Sequence, residues 1–339
     1  MELFGLTIGL LLLFVSFGFM VGVLFGFFGM GGAFLITPTL LILGYPARVA
    51  IGSGLAFYFG TSVIAVIKHY DIGQVDYKLG AILFVGLTIG IEGGRRLVFS
   101  LERIGIAELV TGVAYVFLLA GIGLLFLRRA RNIAADESDE DETNGDDIPP
   151  MATTLQSYNI PPMVSLTAGG SASAWTISGV GGTVGLVSGF LGVGGGFIRM
   201  PAIYYLIGTP LAVAVGTSLF AGLFSGAYGT FTYGAAGGID LAVITPLLVG
   251  SALGARIGSA ATTVVNEDDV IIYFAAMMLL ASAAIALSEL GNWLEIEPLN
   301  TLSVILLVGS AFFVGSMIIY HVIKSMRKTG GELQQNPSH

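Results

Sequence analysis

The stretch Gly22-Val-Leu-Phe-Gly-Phe-Phe-Gly-Met-Gly-Gly-Ala-Phe-Leu-Ile-Thr-Pro38 recurs as Gly185-Leu-Val-Ser-Gly-Phe-Leu-Gly-Val-Gly-Gly-Gly-Phe-Ile-Arg-Met-Pro201, seventeen residues in each copy. The correspondence continues after a one-residue shift. Gly44-Tyr-Pro46 pairs with Gly208-Thr-Pro210, and Val49-Ala-Ile-Gly-Ser53 with Val213-Ala-Val-Gly-Thr217. Gly73-Gln-Val-Asp76 pairs with Gly237-Gly-Ile-Asp240, and Gly86 and Gly90 with Gly250 and Gly254. Chance does not produce agreement over this length, so the chain is two copies of one unit. Each copy opens on a long apolar run, breaks at glycines, and resumes as a short apolar piece containing a proline.

The solvent of those runs follows from composition. The 339 residues are 55% hydrophobic and 11% charged, with a mean hydropathy of +0.88. A soluble domain carries about 25% charged residues. Apolar segments recur at 3–28, 49–67, 79–97, 104–127, 174–192, 211–233, 240–260, 269–289 and 301–323, with shorter ones at 33–44 and 196–208. Runs near twenty residues match the bilayer core, and helices are the only spanning form for segments this long and this apolar. The expected fold is an all-α polytopic membrane protein, residues 1–127 forming one membrane repeat and 166–323 the other. No Lys or Arg precedes the first run and no small-residue cleavage site follows it, so a removable signal peptide is not expected.

The net charge of −8 has a single source. Asp136, Glu137, Asp139, Glu140, Asp141, Glu142, Asp146 and Asp147 lie together with no base among them, and the remaining 14 acids balance 14 Lys and Arg. Residues 128–165 are therefore expected to be an acidic, disordered linker. Arg128, Arg129 and Arg131 follow one span, and Lys324, Arg327 and Lys328 follow the last. The positive-inside rule puts the linker and the 324–339 tail in the cytoplasm of a multi-pass protein of the cell membrane, with the N-terminus outside. A 95–103 loop with Arg95, Arg96 and Arg103 breaks that rule unless some of the arginines point into the protein. Five elements separate equivalent positions, so the same count makes the two repeats inverted. Inverted repeats with short, Gly/Pro-interrupted segments at matching places are the pattern of secondary transporters.

Several function classes fall away. With no cysteine there is no thiolate zinc site, iron–sulfur cluster or cysteine nucleophile. Three histidines without a His-Glu-x-x-His exclude a helix-borne zinc hydrolase. No metal or organic cofactor is expected, and without a basic stripe no nucleic-acid partner. Intramembrane serine and aspartyl enzymes lack their tetrads, so no enzyme activity is expected. A channel with the same chemistry, a structural scaffold, and a homodimer packed through the glycine faces stay open.

The residues just quoted also carry a resemblance. Gly29-Met-Gly-Gly-Ala-Phe with Pro38, Gly192-Val-Gly-Gly-Gly-Phe with Pro201, Ala-Val-Gly-Thr-Ser at 214–218, the Gly-x-x-Asp at 73–76 and 237–240, and Gly250-x-x-x-Gly-Ala-Arg256-x-Gly258 resemble the TauE/SafE family of sulfite and sulfonate exporters. The resemblance covers about 20–125 and 175–290. It implies export of small sulfur-containing anions coupled to the proton gradient, with uptake as the neighbouring alternative.

An anion suits these residues. Glycine-rich breaks at Gly29, Gly31 and Gly32, and at Gly192, Gly194, Gly195 and Gly196, would present helix N–H groups near the midplane, or else serve helix packing. Ser53, Thr217 and Ser218 are candidate donors to the anion, or caps of their own helices. Arg256, inside an apolar run, is the leading charged candidate. Glu92 holds the equivalent place in repeat one. It departs from the family's small residue or arginine and is expected to pair with Arg256 or to carry the coupling proton. Arg199 departs from the family's apolar residue and would either meet the substrate or snorkel to the interface. Asp76 and Asp240 read first as helix N-terminal stabilisers, with coupling as the lesser role. His69 is expected in a wetted loop, and the aromatics at 57–59, 228–233 and 312–320 as core and interface belts.

Overall fold

The computed structural model describes residues 2–3, 6–28, 33–70, 75–136, 160–166, 171–262 and 267–335. Helix accounts for nearly all of it. Repeat one supplies α1 (Ile8–Phe28), α2 (Ala33–Ile42), α3 (Ala47–Tyr70), α4 (Tyr77–Arg103) and α5 (Ala107–Asp136). Repeat two supplies α6 (Ala174–Leu191), α7 (Gly196–Ala202, continuing as a π-helical turn Ile203–Ile207), α8 (Leu211–Ala235), α9 (Leu241–Ala261), α10 (Glu267–Leu294) and α11 (Glu297–Gln335). Two small antiparallel hairpins, β1 (Glu2–Leu3) with β2 (Leu6–Thr7) and β3 (Met163–Ser165) with β4 (Ser171–Ser173), complete the elements among the described residues.

Among the described residues, six helical segments are long and apolar enough to cross a bilayer: Ile8–Phe28, Ala107–Arg128, Ala174–Leu191, Leu241–Ala261, Val270–Leu294 and Glu297–Lys324. Helices α3, α4 and α8 are as long, with 24, 27 and 25 residues. Segments α2 and α7 are the short pieces anticipated around Pro38 and Pro201. Pro201 lacks the N–H of a regular turn, and the helix widens into its π turn immediately afterwards.

Three boundaries differ from expectation. Helix α4 runs on through Arg103, so Arg95 and Arg96 sit in a helix and not in a loop. Helix α5 continues to Asp136, beyond the expected linker start at 128, and α11 runs through most of the expected 324–339 tail. Charged residues at a span's end extend a helix into water as readily as they end it, because Arg, Lys and Glu are good helix formers. His69 falls in the last turn of α3, not in a loop. Acidic residues 137–147 and the glycines Gly29, Gly31 and Gly32 lie outside the described residues.

The chain divides into two compact units, each drawing on both repeats. One comprises Met1–Phe28, Tyr115–Asp141 and Pro246–His339. Its packing is set by α1 lying parallel against α9. A Cβ at Gly22 would fall 2.6 Å from the Ser251 Cα, and one at Gly258 would fall 2.8 Å from the Val23 carbonyl carbon. Small residues at this spacing let two backbones touch, which is how helices associate where lipid removes the hydrophobic drive. Phe28 and Phe126 both stack on Phe274, and Ser282 Oγ donates to the Val116 carbonyl across the same unit.

The second unit comprises Gly29–Ala114 and Glu142–Thr245. It repeats the same device with equivalent helices. Gly86, Gly90 and Gly94 of α4 lie against Gly182, Gly185 and Gly189 of α6, again in parallel. In both units the first helix of one repeat is paired with the fourth helix of the other. Apolar side chains from Leu79, Leu83, Leu87, Ile177, Val184, Ile203 and Ile207 fill the space beside the contact.

Inside this second unit the equivalent helices α3 and α8 run antiparallel. Gly52 meets Gly238 and Tyr233, Leu55 meets Gly229, and Tyr58 meets Gly226 and Gly222. Phe34 and Phe197, the same residue of the two copies, stack edge to face with centroids 5.4 Å apart.

Candidate functional site

At the break between α6 and α7 repeat two meets α2 and α3 of repeat one. Helix α6 ends on Gly192 at φ 71°, and Gly194 and Gly195 follow at φ 69° and 74°. Only glycine holds that conformation without strain, so the glycine run is what turns the chain here. The ring of Tyr58 leaves no room for a Cβ at Gly194. Thr37 Oγ1 donates to the Gly192 carbonyl at 3.3 Å, tying α2 to the break.

Arg199 lies one turn into α7. It is 1% exposed, which excludes the snorkelling alternative, and is the largest side chain among the fully buried residues described. Its Nε donates to Ser218 Oγ at 3.1 Å and one terminal nitrogen donates to Ser225 Oγ at 3.5 Å. The other terminal nitrogen donates to the Tyr58 hydroxyl, and the guanidinium carbon stands 5.8 Å from the Tyr58 ring centroid. Among the described residues no carboxylate pairs with it; the ion pairs are Arg48–Glu102, Arg95–Glu92 and Arg96–Glu92. A cation has thus been taken out of solvent and given three neutral hydroxyls. An uncompensated buried ion costs several kcal/mol, roughly, even after relaxation. An arrangement that tolerates it is suited to receiving an anion.

Ser53 and Thr217 do something neither of the two readings anticipated. Thr217 Oγ1 accepts the backbone N–H of Asp76 at 3.0 Å, and Ser53 Oγ accepts that of Asp240 at 3.2 Å. Each hydroxyl therefore ties its own helix to the loop that starts the fourth helix of the opposite repeat. Asp76 caps α4, its Oδ1 accepting from the N–H groups of Lys78 and Leu79 at 3.1 and 3.0 Å. Asp240 Oδ1 accepts from Ala242 at 2.9 Å at the start of α9. The two latches are equivalent under the repeat, with the Asp76 side buried and the Asp240 side half-buried.

Glu92 is engaged within its own helix. Both carboxylate oxygens of Glu92 are taken by its own helix, Arg95 donating at 2.9 and 2.8 Å and Arg96 at 2.7 Å. Arg95 also lies over the Phe99 ring at 5.1 Å. Arg256 is exposed on α9, and Glu92, expected to pair with it or to carry the coupling proton, is held by Arg95 and Arg96 instead. At five residues from the end of α9, the long Arg256 stem lets the charge leave the apolar region.

Of the predicted site residues, then, the structure gathers Gly192, Gly194, Gly195, Gly196, Arg199 and Ser218 at one place. It puts Thr217 and Asp76 in an adjoining latch, and Ser53 and Asp240 in its counterpart. Tyr58 and Ser225 were not singled out by the sequence reading. The signal that finds them is the difference between the copies: Tyr58 matches Gly222, Ser225 matches Thr61, Ser218 matches Gly54 and Arg199 matches Ile36. A Cβ at Gly222 would collide with both Tyr58 and Arg199, so this tyrosine packs on its own counterpart.

Comparison with known proteins agrees with this architecture. The family described as sulfite exporter TauE/SafE matches residues 14–285. The probable membrane transporter protein YunE of Bacillus subtilis is 27% identical over 254 residues, covering 73% of this chain and 86% of its own length. A probable membrane transporter protein of Xylella fastidiosa is 26% identical over 75% of this chain and 85% of its own. The Arabidopsis thaliana sulfite exporter TauE/SafE family protein 3 is 26% identical over a shorter stretch, 35% of this chain and 26% of that protein. No solved structure matches the chain. The match across nearly the whole membrane body, on a helical frame of bilayer-length spans, establishes that this chain belongs to the TauE/SafE family of multi-pass membrane transporters.

Proposed function

We propose that the protein is a secondary carrier that exports small sulfur-containing anions, sulfite or organosulfonates, from the cell at the expense of the proton gradient. The observation that carries this reading is Arg199, 1% exposed and partnered by Ser218, Ser225 and Tyr58 with no carboxylate among the described residues. Charge-assisted hydrogen bonds from a guanidinium to an oxyanion are among the strongest available to a protein, and they strengthen where water is excluded. The glycine break beside it lets backbone and substrate approach closely.

The transport cycle is proposed to use inverted repeats, with the anion held near the midplane at their meeting point. Antiparallel packing of the equivalent helices α3 and α8 supports that reading, since a twofold axis in the membrane plane reverses one copy relative to the other. The protein is proposed to sit in the cell membrane with its acidic segment and C-terminus in the cytoplasm, following the arginine and lysine clusters at 128–131 and 324–328.

Anion flux into proteoliposomes tests the function. Sulfite, sulfate, thiosulfate and an organosulfonate are compared with and without an imposed pH gradient. Accumulation of a sulfur anion that collapses the pH gradient is the expected result. Flux that only dissipates gradients identifies a channel, and no flux of any of the four removes the sulfur-anion assignment.

A further inference from the structure

We infer that the Arg199 site takes one singly charged oxyanion at a time, a bisulfite- or sulfonate-type monoanion, and discriminates against dianions. The inference rests on the carrier reading above and adds the charge of the species carried.

It follows from how the two copies differ. A pseudo-twofold site could have presented two guanidinia, one from each repeat, and would then suit a dianion. Here the counterpart of Arg199 is Ile36, fully buried and neutral. The counterparts of Ser218 and Ser225 are Gly54 and Thr61, and the Thr61 hydroxyl is spent on its own helix, donating to the Phe57 carbonyl at 2.9 Å. The guanidinium is thus carried by one repeat alone, and its counterpart in the other is neutral.

Among the described side chains of this unit, Arg199 is the one buried cation. Arg95 and Arg96 are engaged by Glu92, and Arg48 stands against Glu102 with 41% of its side chain exposed.

The donor count agrees. Arginine has five N–H groups. Three reach Ser218, Ser225 and Tyr58, which leaves one on each terminal nitrogen, the number a contact to two oxygens of one –SO3 group requires. A monoanion bound there cancels the buried charge, whereas a dianion leaves a net negative charge in a region where an uncompensated ion is strongly disfavoured.

The test uses the full-length wild-type protein in proteoliposomes, with protein-free liposomes as the blank. Initial rates are measured for methanesulfonate, a monoanion at every working pH, and for sulfate, a dianion throughout. Sulfite is followed across the range in which bisulfite loses its proton. Methanesulfonate is expected to move at least about tenfold faster than sulfate at equal concentration. The ratio of sulfite to methanesulfonate flux at each pH, in which the dependence on the coupling proton cancels, is expected to fall as pH rises, in proportion to the bisulfite fraction. Sulfate moving as fast as methanesulfonate, or that ratio rising with pH, overturns the inference and leaves the carrier standing. Absence of flux for every sulfur anion overturns the carrier reading and this inference with it.

Discussion

Gly93 and Gly94 are neighbours on α4 with opposite surroundings, and alanine at each gives a paired test of the packing on which the second unit depends. A Cβ at Gly93 would meet nothing within 4 Å, whereas one at Gly94 would lie 2.5 Å from both the Leu186 carbonyl oxygen and the Phe190 nitrogen of α6. Removing glycine from a helix interior is worth about 0.5–1 kcal/mol in favour of alanine. At Gly93 that gain stands alone, so Gly93→Ala is expected to be neutral or mildly stabilising. At Gly94 the obstructing atoms are backbone, which cannot rotate away, and overpacking of this kind costs about 1–3 kcal/mol. The alanine gain is common to both sites and cancels, so the two variants should differ by the clash, about 1–3 kcal/mol. Thermal and SDS-induced unfolding of the purified protein reads that difference directly. Equal stability of the two variants would mean that α4 and α6 do not touch as described, and the account of how this unit holds together would be wrong.

Other expectations concern the latches and the charged helix. Thr217→Val removes the acceptor of a buried Asp76 N–H and is expected to cost about 1–3 kcal/mol, and Ser53→Ala less, since Asp240 is only half-buried; equal costs would argue against the asymmetry of the two latches. Asp76→Ala is expected to lose about 1 kcal/mol through its cap on α4, seen as a lower melting temperature, whereas an unshifted melt would show the cap to be idle. Glu92→Gln should leave proton-driven transport in place, because the carboxylate is occupied by Arg95 and Arg96, and a loss of coupling in flux measurements would return Glu92 to the pathway.

The sequence made the frame legible for physical reasons. Bilayer-length runs admit only helices, and a duplicated glycine pattern announces a duplicated unit. It even located α2 and α7, because Pro38 and Pro201 sit in matching short pieces. What it did not carry was pairing across distance. The partner of Thr217 is 141 residues away and that of Ser53 is 187 away, and nothing local to a hydroxyl specifies which backbone N–H it meets. The same limit explains Arg256 and Arg199. Both lie in apolar surroundings in the sequence, yet one helix face puts Arg256 outside and another puts Arg199 inside. Tyr58 read as one aromatic of several, since its importance lies in the glycine at its counterpart, which allows it to reach the guanidinium. The cluster sits where the two copies differ in polarity, not where they agree.

The central claim, that Arg199 holds the transported anion, is tested most directly by anion binding to the purified protein and its Arg199→Gln and Arg199→Lys variants, followed by calorimetry and by anion-dependent melting. Wild type should bind methanesulfonate saturably and melt higher in its presence. Arg199→Lys should keep a weakened response, because it retains the charge and loses the fork. Arg199→Gln should melt at or above the wild-type temperature without anion, having shed an uncompensated buried charge, and should show no anion-induced shift. Wild-type affinity in Arg199→Gln would contradict the account and place the anion elsewhere.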